Sequence, residues 1–297
     1  MSAYRYIEYA TPREDVAVIT LNRPKQRNAQ NRVMLVELGQ AFDRAEADDT
    51  IKVVILRGAG TCFTSGHDLG SSDELRERLP GPDQHQSWRE YGGTLTGVER
   101  RWRQEWHYFL TNTRRWRDLR KITIASVHGP VYSAGLMIMW ACDLIVAAED
   151  TVFADVVGTR MGMCGVEYFA HPWELGARKA KELLLTGDSL SVQEANQLGM
   201  VSKIFPSDRL EQDTLAFAER ICKLPTAASL MIKEAVNQTQ DNQGFFNSLQ
   251  AAFTLHELNH AHWLAMSNGT ALYQTPELGG TPWQEAPPVR PADAHRP

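Results

Sequence analysis

Cysteine is scarce in this sequence. Its four residues, Cys62, Cys142, Cys164 and Cys222, form no CxxC pair. At 297 residues that argues against a disulfide scaffold and for a reducing compartment, the cytoplasm. Two of the four sit in apolar stretches, where buried free thiols are expected. Positive charge is in no excess: 31 Lys and Arg stand against 36 Asp and Glu, a net charge of −5. The chain as a whole therefore has no attraction for nucleic acid or anionic membranes, and a polyanionic ligand would need a local basic patch. Long apolar runs are missing too. The most apolar stretch, 134–148, is interrupted by Asp143 and is too short to span a bilayer. The opening MSAYRYIEYA lacks a basic segment followed by an apolar one, so no signal peptide is expected. No internal repeat is found.

What remains is ordinary soluble composition, 43% apolar and 23% charged. The length suits one large domain with an appendage, or two small domains. The β-branched runs 16–21 and 51–56 read as strands, and 122–127 and 144–148 as two more. Between the first two, 31–47 has helical periodicity in Met34, Leu35, Leu38, Phe42 and Ala45. Segment 129–142 reads as a turn followed by a helix. Strands alternating with helices predict an α/β fold with buried strands. Segment 70–97, rich in Gly, Pro, Ser and charge, reads as a long excursion or mobile loop. Trp102, Trp106, Phe109, Thr113 and Trp116 then recur at helical spacing, with most of the neighbouring arginines off that stripe. From residue 186 the pattern is helical, over 191–198, 209–223, 227–239 and 244–266. The Pro- and Ala-rich end, 276–297, reads as an extended tail.

Four segments, in order and at matching spacing, carry a resemblance: LNRPKQRNA (21–29), CFTSGHDL (62–69), GPVYSAGLMIMWACDLIVAAEDTVF (129–153) and LTGDSLSVQEANQLGMVSKIFP (185–206). Together they resemble the enoyl-CoA hydratase/isomerase (crotonase) superfamily over roughly residues 5 to 265. The resemblance implies a crotonase-like spiral of ββα units over 1–206, with an excursion at 70–120. It further implies a helical trimerisation region over 207–270 and leaves a tail at 271–297. It implies an acyl-CoA substrate, a homotrimer or dimer of trimers, and no prosthetic cofactor.

Chemistry beside a thioester carbonyl builds negative charge on its oxygen, which two backbone N–H donors in a water-poor site stabilise. Ser133, Ala134 and Gly135 open an apolar helix after a turn, and Ser65, Gly66 and His67 follow a strand. Small residues there let the backbone approach. By resemblance the donors are the amides of His67 and Ala134; on the residues alone, the favoured reading of both segments is a tight strand-to-helix turn and nothing more. His67 stands where many relatives carry a small residue, and its imidazole either enters the pocket as a proton carrier or only shapes its wall.

Hydratases of this family use two glutamates. Met137 occupies the first position and Val157 falls at or beside the second, and neither exchanges protons. The remaining acids are ranked Glu167 first, Asp155 second and Glu174 after them, with His171 and Tyr168 as further candidates. The apolar neighbours Val166, Tyr168 and Phe169 are expected to raise the Glu167 carboxyl and poise it for proton transfer. Arg23, Lys25 and Arg27, in the loop that by resemblance meets CoA, suit a diphosphate, with Ser65 and Gly66 beside the thioester. Alternatively they form a basic surface loop, and Glu167 caps a helix.

HELNH (256–260) formally matches the HExxH zinc motif. His262 projects from another face and no later ligand follows at a suitable spacing, so an amphipathic helix with polar histidines, and no metal, is expected. The Arg/Trp helix is expected to pack as core with a solvated basic face, or to cover the acyl pocket, rather than to bind nucleic acid. The predicted function is enolate-type acyl-CoA chemistry by a hydratase or isomerase. The alternatives are a CoA-binding protein with little turnover and a hydrolase of a cyclic β-diketone.

Overall fold

The computed structural model describes residues 4–280. The sequence-predicted tail beyond 280 lies outside them, and its described part holds a 3-10 turn at Pro276–Leu278. A β-hairpin opens the fold, β1 (Ile7–Arg13) antiparallel to β2 (Val16–Leu21). Helix α1 (Arg32–Ala47) follows, capped by Asn31, whose side chain accepts from the Met34 amide at 3.0 Å. The chain then forms β3 (Val53–Gly58), α2 (Ser72–Arg78), α3 (Gly97–Glu105), a π-helical segment (Trp106–Thr111) and α4 (Asn112–Arg117). Next come β4 (Ile122–Val127), β5 (Pro130–Tyr132), α5 (Ala134–Trp140), β6 (Leu144–Ala148), β7 (Val152–Ala154), α6 (Val157–Met161) and α7 (His171–Thr186). The last elements are β8 (Leu190–Ser191), α8 (Val192–Gln197), β9 (Lys203–Phe205), α9 (Leu210–Cys222), α10 (Thr226–Asn242) and α11 (Phe245–Met266).

Among the described residues, six strands form one sheet in the order β1-β2-β3-β4-β6-β9, parallel from β2 onward. Alternate residues of each central strand face opposite cores. Val16, Val18, Val53, Ile55, Ile122 and Ile124 pack with α9 residues Leu210, Ala218 and Cys222. Ala17, Ile19, Val54, Leu56, Ala125 and Val127 pack against α1 and α5. This period of two inside continuous apolar runs is what a sheet covered on both faces requires.

The second sheet, β5-β7-β8, is smaller. Isolated parallel bridges continue it sideways, Thr64 to Val131 and Gln30 to His67. Each turn of the spiral thus contributes a strand to the large sheet and a short extended segment to the small one. The small sheet thus aligns 64–67 beside 131–134.

Segment 70–97 is more ordered than its composition predicts. Ser71 caps α2, and Glu77 on that helix is buried, accepting hydrogen bonds from Tyr6 Oη at 2.9 Å and Asn31 Nδ2 at 2.8 Å. Those partners lie far away in sequence, so local composition does not reveal them. The aromatic stripe also departs from expectation. Trp116 is buried at 1% exposure, whereas Trp102 and Trp106 are 49% and 38% exposed. The π segment between them shifts the helical phase, so one stripe in the sequence becomes two faces in space.

Candidate active site

A cavity of about 370 Å³ opens beside the end of the small sheet. Its walls come from the 27–32 loop and α1 start, the 65–69 turn, Tyr132 and Ser133, α6, the 163–167 loop, the α3–π helix and α11.

The turns at its floor are shaped by backbone. Gly66 has φ +96, and a Cβ there would lie 2.8 Å from the Tyr132 carbonyl and 3.2 Å from the Ala134 nitrogen. The two turns therefore touch, and only glycine fits between them. Ser133 adopts φ 48, ψ −114, an uncommon conformation for a residue with a Cβ. It presents the Ala134 amide at the first position of α5, where no intrahelical acceptor exists. Neither the His67 nor the Ala134 amide donates to any group among the described residues. Supporting groups are Gln30, whose Nε2 donates to the Ala134 carbonyl at 3.1 Å, and Asn28. Asn28, in the left-handed region at φ 54, donates to the carbonyls of Ala59, Cys62 and Phe63 and accepts from the Arg23 amide at 2.9 Å. Sequence reasoning assigned it nothing, although Asn tolerates that conformation better than most residues.

His67 and Glu167, one hundred residues apart, meet in the cavity. Nε2 of His67 lies 3.2 and 3.1 Å from the two carboxylate oxygens of Glu167. The imidazole stacks on Phe109, centroids 3.9 Å apart, so the π segment fixes its plane. Glu167 is 3% exposed, as its apolar neighbours predicted. Their predicted consequence is corrected. Burial pushes the carboxyl up, but the facing His67 ring, through charge and hydrogen bond, and His256 behind it outweigh burial. They hold Glu167 below the ordinary glutamate range. The acid is poised as a carboxylate.

The other sequence candidates separate. Asp155 is fully buried but does not line the cavity; its carboxylate accepts from His171 Nε2 at 2.9 Å and from the Val157 amide at 3.1 Å. His171 is sealed in that pair. Tyr168 and Glu174 face a second cavity behind α7. Met137 is buried in the core, and Val157 is an apolar wall of the first cavity. In the basic loop, Arg23 is a structural residue: its guanidinium pairs with Asp68 at 2.9 Å and contacts Ser71 at 3.1 Å, with the side chain 1% exposed. Lys25 and Arg27 are exposed, and Arg27 stands at the cavity's edge with Ser65.

At the opposite wall, α11 brings His256, Glu257 and His260 into the interior. They meet Glu105 of α3, which Arg101 holds at 3.0 Å. Burial, with the negative neighbour Glu105, pushes the Glu257 carboxyl up to about 9. His262 is exposed, as expected.

The enoyl-CoA hydratase/isomerase family profile matches residues 11–268. EchA13 of Mycobacterium tuberculosis, which carries an enoyl-CoA hydratase designation, is 63% identical over 99% of this chain and 93% of its own. A solved structure from Mycobacterium smegmatis with the same designation superposes with a TM-score of 0.79 at 40% identity, covering 91% of this chain and 99% of that one. An enoyl-CoA hydratase/isomerase from Xanthobacter autotrophicus gives 0.73 at 30% identity, covering 90% and 95%. The chain belongs to the enoyl-CoA hydratase/isomerase family.

Proposed function

We propose that this chain processes acyl-CoA thioesters through an enolate, with His67 and Glu167 replacing the usual glutamate pair. The observation that carries this reading is the pair of unused amides, His67 and Ala134, on touching turns of a cavity that also holds a buried carboxylate within 3.1–3.2 Å of an imidazole. The thioester oxygen would accept from both amides, which favour the charge that develops on it. Glu167 would take the proton from the carbon beside the thioester, or from water. The His67 ring orients that carboxylate and offsets its charge. Apolar Val157, Val166 and Phe109 keep the acyl group in a dry wall.

Solvent-deuterium exchange at the acyl α-carbon tests this. Enzyme incubated in D₂O with 2-enoyl-, 3-enoyl- and saturated acyl-CoA should give α-deuterated thioester, and hydrated or double-bond-shifted product from the unsaturated ones. Thioester binding with neither exchange nor turnover would make the chain a CoA-binding protein. Cleavage of a CoA-free cyclic β-diketone without exchange would make it a hydrolase.

Exposed Arg27 at the cavity edge suits a CoA phosphate, with Lys25 adding charge. Arg27→Ala should weaken CoA binding about tenfold, roughly 1.4 kcal/mol, and flatten its salt dependence. An unchanged dissociation constant at low salt would remove Arg27 from the site.

The assembly we propose is a trimer or a dimer of trimers. Met231, Ile232 and Val236 of α10 and Leu255 and Leu258 of α11 are all more than half exposed, and large apolar side chains left uncovered on two successive helices suit an interface between copies of the chain. Light scattering should give three or six chain masses; a monomer would contradict the assignment. No helix among the described residues is long and apolar enough to cross a membrane, and the cytoplasm is the location we propose.

A further inference from the structure

We propose that His256, His260 and Glu105 form a binding site for one divalent transition-metal ion, zinc being the best match, on the wall of the acyl cavity. The three side chains are buried, and their ligand atoms all lie within 4.8 Å of one another. Nε2 of His256 and of His260 stand 3.3 and 3.4 Å from the same oxygen, Oε2 of Glu105. Metal–ligand bonds of about 2.0–2.1 Å give a tetrahedron edges of about 3.3–3.4 Å.

Hydrogen bonding separates these atoms from ordinary buried polar groups. His256 Nδ1 contacts the Gly165 carbonyl at 2.8 Å, and His260 Nδ1 contacts the Leu272 carbonyl. A carbonyl only accepts, so each ring carries its proton on Nδ1 and turns Nε2 inward. This is the outer-shell arrangement that orients metal-binding histidines. The three inward atoms, His256 Nε2, His260 Nε2 and Glu105 Oε2, make no hydrogen bond among the described residues. Once the Nε2 protons are displaced, two lone pairs face a carboxylate oxygen within 3.4 Å, a donor set that suits a metal ion in their place. Arg101 occupies the other oxygen of Glu105, leaving Oε2 for that cation.

The sequence pattern agrees. Histidines at i and i+4 share a helix face, and HELNH supplies two ligands. The third comes from a helix some 150 residues earlier, so no spacing rule within α11 predicts it. Two imidazoles and one carboxylate suit Zn²⁺ and leave further coordination positions, and the cluster lines the cavity that Glu167 also lines.

The full-length protein, stripped with chelator, should bind one Zn²⁺ or Co²⁺ per chain from the chloride salts, micromolar or tighter. The cobalt form should show the intense visible bands of a four- or five-coordinate site. His260→Ala and Glu105→Gln should each weaken binding about 100-fold, while His262→Ala, on the exposed face, should not change it. Zinc should raise the melting temperature of the wild type and not of the two site variants. X-ray absorption at the zinc edge of the wild type requires no variant to fold, and should show a nitrogen and oxygen first shell with imidazole scattering. No binding to the wild type would mean that protons alone fill the cluster and would overturn the site. So would a sulfur first shell, or binding that persists in folded His260→Ala. Each readout is independent of acyl-CoA turnover, so metal binding and the enolate chemistry fail separately.

Discussion

Glu167→Gln should lower kcat by ~10²–10⁴, the usual contribution of a positioned acid or base, and leave CoA binding near wild type. Glutamine keeps the shape and loses the ionisable group. Because His67 and His256 hold the Glu167 carboxyl below the ordinary glutamate range, the base form persists as pH falls from neutrality. The Glu167-dependent loss of kcat should therefore begin only when pH drops through that lowered value, and a pH profile should show this loss in the wild type and not in the variant. Asp155→Asn serves as the comparison. Asp155 is sealed against His171 and off the cavity, so its substitution should lower thermal stability and leave kcat near wild type. If Asp155→Asn abolishes turnover while Glu167→Gln leaves it whole, the assignment of the base is inverted.

Asp68→Ala should cost about 3 kcal/mol of folding stability, the lower end of the ~3–5 kcal/mol for breaking a buried ion pair. Asp68 and Arg23 have side chains 4% and 1% exposed and meet at 2.9 Å. Asp68 also accepts from the Ser71 amide at 2.8 Å and Ser71 Oγ at 2.6 Å, tying the 65–71 turn to α2. Arg23 keeps the Ala29 carbonyl and, at 3.6 Å, Asp73, which is why the lower figure applies. At ~2–4 °C per kcal/mol for a chain of 150–250 residues, the midpoint should fall by roughly 6–12 °C, or somewhat less for this longer chain. The sign with pH follows from the Asp68 carboxyl. Burial pushes it up, but hydrogen bonds from Ser71, Arg23 and Gly70 outweigh burial and set it below 3.8. Its contribution is full above that ordinary value and is lost as pH falls through the lowered one. Equal wild-type and Asp68→Ala midpoints at neutral pH would show that Asp68 is dispensable.

Much of the scaffold is legible in the chain. The alternating central strands, the α1 face of Met34, Leu35, Leu38 and Phe42, and the run of C-terminal helices all follow from local periodicity, because burial there is set by the element itself. Glu167 is legible as a buried acid for the same reason. Its ionisation is not, since that depends on His67, one hundred positions earlier, and on His256, about ninety positions later along the chain. The basic loop shows the same limit. Arg23, Lys25 and Arg27 look alike in sequence, yet Arg23 is interior because Asp68 and Ser71 fold back over it. Glu105 is the extreme case, a charged residue in a helix rich in charge, marked out only by the two histidines that arrive from α11.

In the proposed reaction, one position supplies two services. The amide of residue 67 faces the thioester oxygen and its ring holds the base. These belong to the main chain and the side chain, so mutation can separate them. Replacing His67 by alanine or glycine would keep the amide and release Glu167 from its partner. One substitution at this position would therefore change the base's surroundings and leave the main-chain donors in place.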